Sequence, residues 1–125
     1  MEKTHADASP LRLHELSLDQ LPSDTRRVLE GVDRVLVYSI PMRVRFRGID
    51  VREGLLFHGE EGWGECAPFW DYDPQESAAW LASALEAARI ASPRPRRSKI
   101  PLNVTIPVIE AAAARQRILD APQWM

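Results

Sequence analysis

Between Arg34 and Ala67 apolar and polar residues alternate with a period of two, and this pattern limits what the chain can fold into more than any other feature. Val35 to Ile40 is an apolar strand ended by Pro41. Met42, Val44 and Phe46 then alternate with Arg43, Arg45 and Arg47 as far as Gly48. Successive strand side chains point to opposite faces, so this stretch reads as a half-buried strand. Val51, Glu53, Leu55 and Phe57 alternate with Arg52, Gly54, Leu56 and His58 in the next strand. The turn Gly59–Gly62 leads to a short third strand, Trp63 to Ala67, which Pro68 ends. Consecutive strands joined by short turns predict a three-stranded antiparallel meander.

The period then changes to that of a helix. Asp73 is placed to cap it, Pro74 has φ preset for the first helical position, and Glu76 completes a capping-box pattern. Ser77, Trp80, Leu81, Ala84, Leu85 and Ala88 recur at helical spacing, so one face of residues 74–90 needs an apolar partner, and the meander offers one. The fold class expected is therefore α+β.

The flanks are less regular. The leucines of residues 1–20 fit neither period and read as a tail, followed by a short helix from Asp24 to Glu30 with Ser23 as cap and Gly31 beyond its last turn. Residues 91–99 form a proline-rich basic linker. Pro101 to Pro107 is a β-rich run, and Glu110–Leu119 an alanine-rich helical stretch, together the opening of a βα unit. The expected organisation is thus residues 1–33 as tail and short helix, 34–92 as the main domain, 93–100 as linker, and 101–125 as the start of a further domain.

Composition narrows the function classes. A chain of 125 residues supports one modest domain; an eight-stranded (β/α) barrel needs about 250 residues. A net charge of −2 gives no global field for nucleic acid or an anionic membrane. The arginines of 94–97 lack the interleaved aromatics of a single-strand binder. With a single cysteine no internal disulfide can form, and no apolar run of membrane-spanning length occurs, so a cytoplasmic protein is expected.

Several runs together carry a resemblance: Pro41-Met42-Arg43-Val44-Arg45-Phe46-Arg47-Gly48-Ile49, Arg52-Glu53, Gly62-Trp63-Gly64-Glu65, Pro68-Phe69, Tyr72, the helix opening Glu76 to Glu86, and Ile100-Pro101-Leu102-Asn103-Val104-Thr105-Ile106-Pro107. In these the chain resembles the N-terminal part of actinobacterial o-succinylbenzoate synthases of the enolase superfamily. The Gly-Trp-Gly-Glu run is general to capping domains of that superfamily, whereas the runs 41–49 and 100–107 point to the synthase itself.

The resemblance implies a capping domain that closes over the C-terminal mouth of a barrel, where such barrels keep their active sites, followed here by an incomplete first βα unit. It implies a Mg²⁺-dependent dehydration of 2-succinyl-6-hydroxy-2,4-cyclohexadiene-1-carboxylate to 2-succinylbenzoate, a step of menaquinone synthesis. The loops expected to face the dicarboxylate substrate lie around Arg45–Ile49 and Phe69–Asp73, giving Arg45, Phe46, Arg47, Gly48, Phe69 and Tyr72 as candidate substrate-binding residues.

In the family, acid/base lysines and metal carboxylates come from later barrel strands. Here the lysines are Lys3 and Lys99, neither at a catalytic position, and the acids form no convergent set. The chain is therefore expected to be a fragment that contributes capping loops, with no catalytic or metal residues of its own and with a separate barrel as a possible partner. Two alternatives share these features: a non-catalytic α+β binding module, and the cap of an N-succinylamino-acid racemase or muconate cycloisomerase.

Ordinary explanations compete at each residue. Arg43, Arg45 and Arg47 also fit the solvated face of a strand. Phe69, Trp70 and Tyr72 also fit packing against the helix. Glu65 reads as a structural hydrogen-bond partner, His58 as a strand-end surface residue, and Cys66 as a packed small side chain.

Overall fold

The computed structural model describes residues 11–121. The chain divides into two compact units, Met1–Ser92 and Pro93–Met125.

The first unit is one antiparallel sheet covered on one face by a helix. Its strands are β1 (Arg12–Leu16), β2 (Val32–Phe46), β3 (Ile49–Gly59) and β4 (Gly62–Cys66), and their order in the sheet is their order in the chain. The alternating segments form the meander β2–β3–β4, as their periodicity requires. The sheet gains a fourth strand that the tail reading did not anticipate: Arg12–Leu16 pairs with β2, from Arg12 opposite Ser39 to Leu16 opposite Val35. Leu11 and Leu13 are exposed, so this edge strand has no clean apolar face to betray it. Arg34 grips its far end, donating to both Glu15 carboxylate oxygens at 2.9 and 3.0 Å.

Pro41 does not end β2. The strand runs through it, with Pro41 opposite Val51 and a register irregularity between Pro41 and Phe46. Beyond Ser39 β2 has lost its β1 neighbour and pairs on one side only, and proline is tolerated on such an edge because no ladder bond need be lost. The same geometry corrects the half-buried reading of residues 42–46. Val44 is 76% and Phe46 57% exposed, because this end of the hairpin extends past the covering helix.

Helix α1 (Ser23–Val28) follows Pro22, which takes the N-cap position expected of Ser23. Gly31 follows at φ 81°, the left-handed conformation a chain adopts after a helix. Helix α2 (Pro74–Arg89) is the main cover. The Asp73 side chain accepts a hydrogen bond from the Glu76 N–H at 2.7 Å, closing its N-terminus. Replacing Asp73 with alanine is expected to cost about 0.5–2 kcal/mol, the usual worth of such a cap, and urea unfolding followed by circular dichroism measures it.

Ala84, Leu85 and Ala88 of α2 pack with Val32, Val35, Phe57, Cys66 and Leu29 in the core, while Leu16, Leu18, Leu21 and Leu81 press against it from the edges. Two glycines of the sheet let α2 come close. A Cβ on Gly64 would stand 1.8 Å from the Ala84 carbonyl oxygen, and one on Gly59 2.5 Å from that of Ala88. The turn between β3 and β4 also serves the helix, since the Glu61 N–H donates to the Ala88 carbonyl at 3.1 Å. That bond satisfies one of the acceptors a helix end leaves open.

Tyr38 is buried and donates its hydroxyl to Glu65 at 2.5 Å, so Glu65 has the structural role its position suggested. Burial first, and then the bond to Glu65, push the Tyr38 phenol up to about 12. A raised phenol favours the folded state fully below the ordinary tyrosine range, and that contribution fades as pH rises from about 10 towards 12. The Tyr38→Phe variant should therefore show a flatter loss of stability across that alkaline window than the parent, read from denaturant midpoints.

In the second unit, α3 (Ala111–Leu119) begins after Glu110. Pro101 to Pro107 forms no strand here. Extended backbone needs a neighbour for its N–H and C=O groups, and high β-propensity alone does not supply one.

Candidate functional site

The hairpin joining β2 to β3 is as tight as a hairpin can be. Phe46 pairs with Ile49, so only Arg47 and Gly48 form the turn, at φ 49° and 80°. Positive φ at both central residues is the type I′ signature, whose twist matches that of the strands. Glycine accepts this freely. Arginine does so at a cost of about 1–2 kcal/mol, which surrounding contacts must offset.

Those contacts come from the loop after β4. The Arg47 Nη1 donates to the Tyr72 hydroxyl at 3.0 Å, and its Nη2 reaches an Asp71 carboxylate oxygen at 3.2 Å. Its guanidinium lies 4.2 Å from the Phe69 ring centroid and 5.2 Å from that of Tyr72. The bond to Tyr72 raises the arginine's affinity for its proton still further. Phe69 and Tyr72 meet edge to face with centroids 5.6 Å apart, and Phe46 approaches Phe69 at 6.4 Å. The structure thus brings Phe46, Arg47, Phe69 and Tyr72 together at one end of the sheet.

Arg45 and Gly48 behave differently. Arg45 turns back on its own hairpin and donates to the Gly48 carbonyl through two nitrogens, at 3.0 and 2.9 Å, bracing the turn instead of reaching the loop. Three further residues organise the site that the sequence did not single out for it. Arg52 donates to the Ala67 carbonyl and sets its guanidinium 4.3 Å from the Phe69 ring centroid. Glu53 accepts from the Trp70 indole at 3.2 Å, and Asp71 faces Arg47. Arg52 and Glu53 lie in the first half of the strand that follows the turn, and an Arg-Glu pair level with an aromatic loop was the available signal.

Beneath the loop lies a cavity of about 450 Å³. Val37, Leu55, Cys66, Pro68 and Phe69 form its apolar walls, with Glu53, Trp70, Tyr72 and Ser77 around them. Cys66 is buried, and desolvation pushes its thiol up, away from the reactive thiolate. His58 sits apart from this region, within 2.6 Å of Asp33 and edge-on to Trp63.

Residues 37–88 match the family described as enolase N-terminal domain-like. Over that span the chain is similar to an enolase-type N-terminal domain. The domain match starts within β2 and ends in α2, so β1 and α1 lie outside the matched residues, and Leu16 of β1 packs against the core they form. The chain is also similar to o-succinylbenzoate synthases of mycobacteria. It is 47% identical over 91 residues to the one from Mycobacterium ulcerans (strain Agy99), covering 73% of this chain and 28% of that protein. It is 49% identical over 91 residues to that of Mycobacterium tuberculosis (strain ATCC 25177 / H37Ra), with the same coverage. With the Mycolicibacterium smegmatis protein the identity is 51% over 80 residues, 64% of this chain and 25% of that one. The chain thus spans about a quarter of the length of the curated relatives it matches.

The chemistry within reach of these side chains is binding and enclosure. A guanidinium, a phenol and aromatic rings can orient an anion and exclude water. Among the described residues no three His, Cys, Asp or Glu side chains are grouped to hold a metal ion, so these residues do not fit a Mg²⁺ site. No helix among them is long and apolar enough to cross a membrane.

Proposed function

We propose that this domain is the cap of an o-succinylbenzoate synthase, closing over a dicarboxylate substrate at the mouth of a (β/α) barrel. The observation that carries the reading is the Arg47 clamp, in which one guanidinium joins the hairpin tip to the aromatic loop through Tyr72 and Asp71. Support comes from the similarity to synthases named for this product, at 47–51% identity. Arginine suits the role because its planar fork pairs with carboxylates.

In the reaction proposed, a C–H proton beside a carboxylate is removed, the C–O bond breaks, hydroxide leaves as water and the ring becomes aromatic. The base and the Mg²⁺ carboxylates belong to the barrel; this chain's Arg47, Phe69 and Tyr72 orient the substrate and shield it from solvent. On this reading the protein is a carbon–oxygen lyase of the cytoplasm serving menaquinone synthesis, and the 125-residue chain alone does not turn over.

The test is a graft. Residues 1–92 replace the corresponding N-terminal part of the Mycobacterium tuberculosis relative, and loss of the cyclohexadiene is followed with Mg²⁺ present. A folded graft that dehydrates the substrate supports the proposal, and a folded graft without activity overturns it. Turnover by the chain alone would overturn the assignment of the reacting groups to the barrel.

A further inference from the structure

We propose that Asp71 is a placeholder: its carboxylate occupies the position on the Arg47 guanidinium that a substrate carboxylate takes on binding. Asp71 is then a positioning residue that sets affinity through Arg47 without touching reacting atoms. The inference rests on the reading of Arg47 as a substrate-binding residue.

The contacts of Arg47 are unequal in a way that marks one of them as exchangeable. Its stack on Phe69 and its bond to the Tyr72 hydroxyl involve side chains that are themselves partly buried. Asp71 offers a single oxygen at 3.2 Å, although a guanidinium fork can take a carboxylate through two parallel N–H bonds. The Asp71 side chain is 72% exposed against 37% for Arg47, so the carboxylate sits on the solvent side and can swing away without disturbing the core.

The neighbouring charges are already engaged. Arg45 donates to the Gly48 carbonyl, Arg52 to the Ala67 carbonyl, and Glu53 accepts from Trp70. Arg47 is therefore the guanidinium of this cluster whose partner is a solvent-facing carboxylate. An incoming dicarboxylate that pairs through both nitrogens replaces a one-point contact with a two-point one. Because exposed ion pairs are weak, Asp71 lowers affinity without blocking the position.

The experiment uses the full chain and isothermal titration with succinate and with 2-succinylbenzoate, each at low and at 0.5 M salt. The Asp71→Asn variant is expected to bind both dicarboxylates roughly two- to fivefold tighter than the parent, about 0.4–1 kcal/mol. Asp71→Glu, which keeps the carboxylate, should return affinity to the parent value, and the gain from asparagine should shrink as salt screens the pair. A merely structural Asp71 predicts the opposite sign, since its loss would loosen the loop. Equal or weaker binding by Asp71→Asn overturns the proposal, and so does the absence of any dicarboxylate binding by that variant. The graft assay keeps the two readings apart. An active graft with no gain from Asp71→Asn removes the placeholder alone; an inactive graft with the gain intact removes the synthase reading and leaves a carboxylate exchange.

Discussion

Replacing Gly64 with alanine is expected to destabilise the first unit by about 3 kcal/mol or more, at or above the upper end of ordinary overpacking penalties. The new methyl group would stand 1.8 Å from the Ala84 carbonyl oxygen and 2.6 Å from its carbon. Both belong to the backbone of α2, so no rotamer change relieves the contact. The helix must lift from the sheet, and lifting it uncovers Ala84, Leu85 and Ala88 together with the faces of Val35 and Phe57. Small domains have about 5–15 kcal/mol in total, so a substantial part of the margin is at stake. Adding Ala84→Gly to the same chain should not restore stability, because the clash is with a main-chain atom. A Gly64→Ala protein whose urea midpoint matched the parent's would show that α2 can move without loss and would defeat the account of the close approach.

The second large effect separates binding from folding. In the grafted enzyme, Arg47→Gly is expected to lower kcat/KM roughly ten- to a hundredfold, the cost of losing a charged hydrogen-bond donor to a carboxylate. Its stability should change by no more than about 1 kcal/mol, because glycine relieves the left-handed tip while an exposed ion pair disappears. Activity and stability are thus predicted to part company. If both fell together by similar free energies, Arg47 would be a brace for the hairpin and the substrate-binding reading would fail.

Much of the fold could be read from the chain because its strong signals are local. The alternation through Arg45 and Leu55 places β2 and β3, and the Asp-Pro pair at 73–74 starts α2 where the side chain of Asp73 in fact caps it. What escaped was non-local. Arg12–Leu16 becomes a strand because β2 offers it an edge, which no periodicity within five residues announces. Pro41 reads as a stop only if a strand is assumed to have neighbours on both sides. For Pro101 to Pro107 the error runs the other way: propensity suggested a strand where the described residues offer no pairing partner.

The candidate site divides similarly. The two loops were identified by resemblance, and the structure brings Phe46, Arg47, Phe69 and Tyr72 together. That Arg45 folds onto Gly48 while Arg47 crosses to the other loop follows from the two-residue turn, which sends neighbouring arginines in different directions. Alternation alone gave them the same face. Arg52 and Asp71 were missed because their importance comes from what stands opposite them in space.

The left-handed turn also acts as a filter on which residues could ever replace Arg47. Valine, isoleucine and threonine are shut out by the backbone, whose φ of 49° crowds a branched Cβ. Glycine and asparagine fit that backbone and are too short to reach Tyr72. Lysine has the length, yet it brings a point charge where Tyr72 and Asp71 are met by two separate nitrogens of one plane. The conformational filter and the chemical filter overlap in a single residue type, so drift at this position is confined even though the side chain lies at the surface.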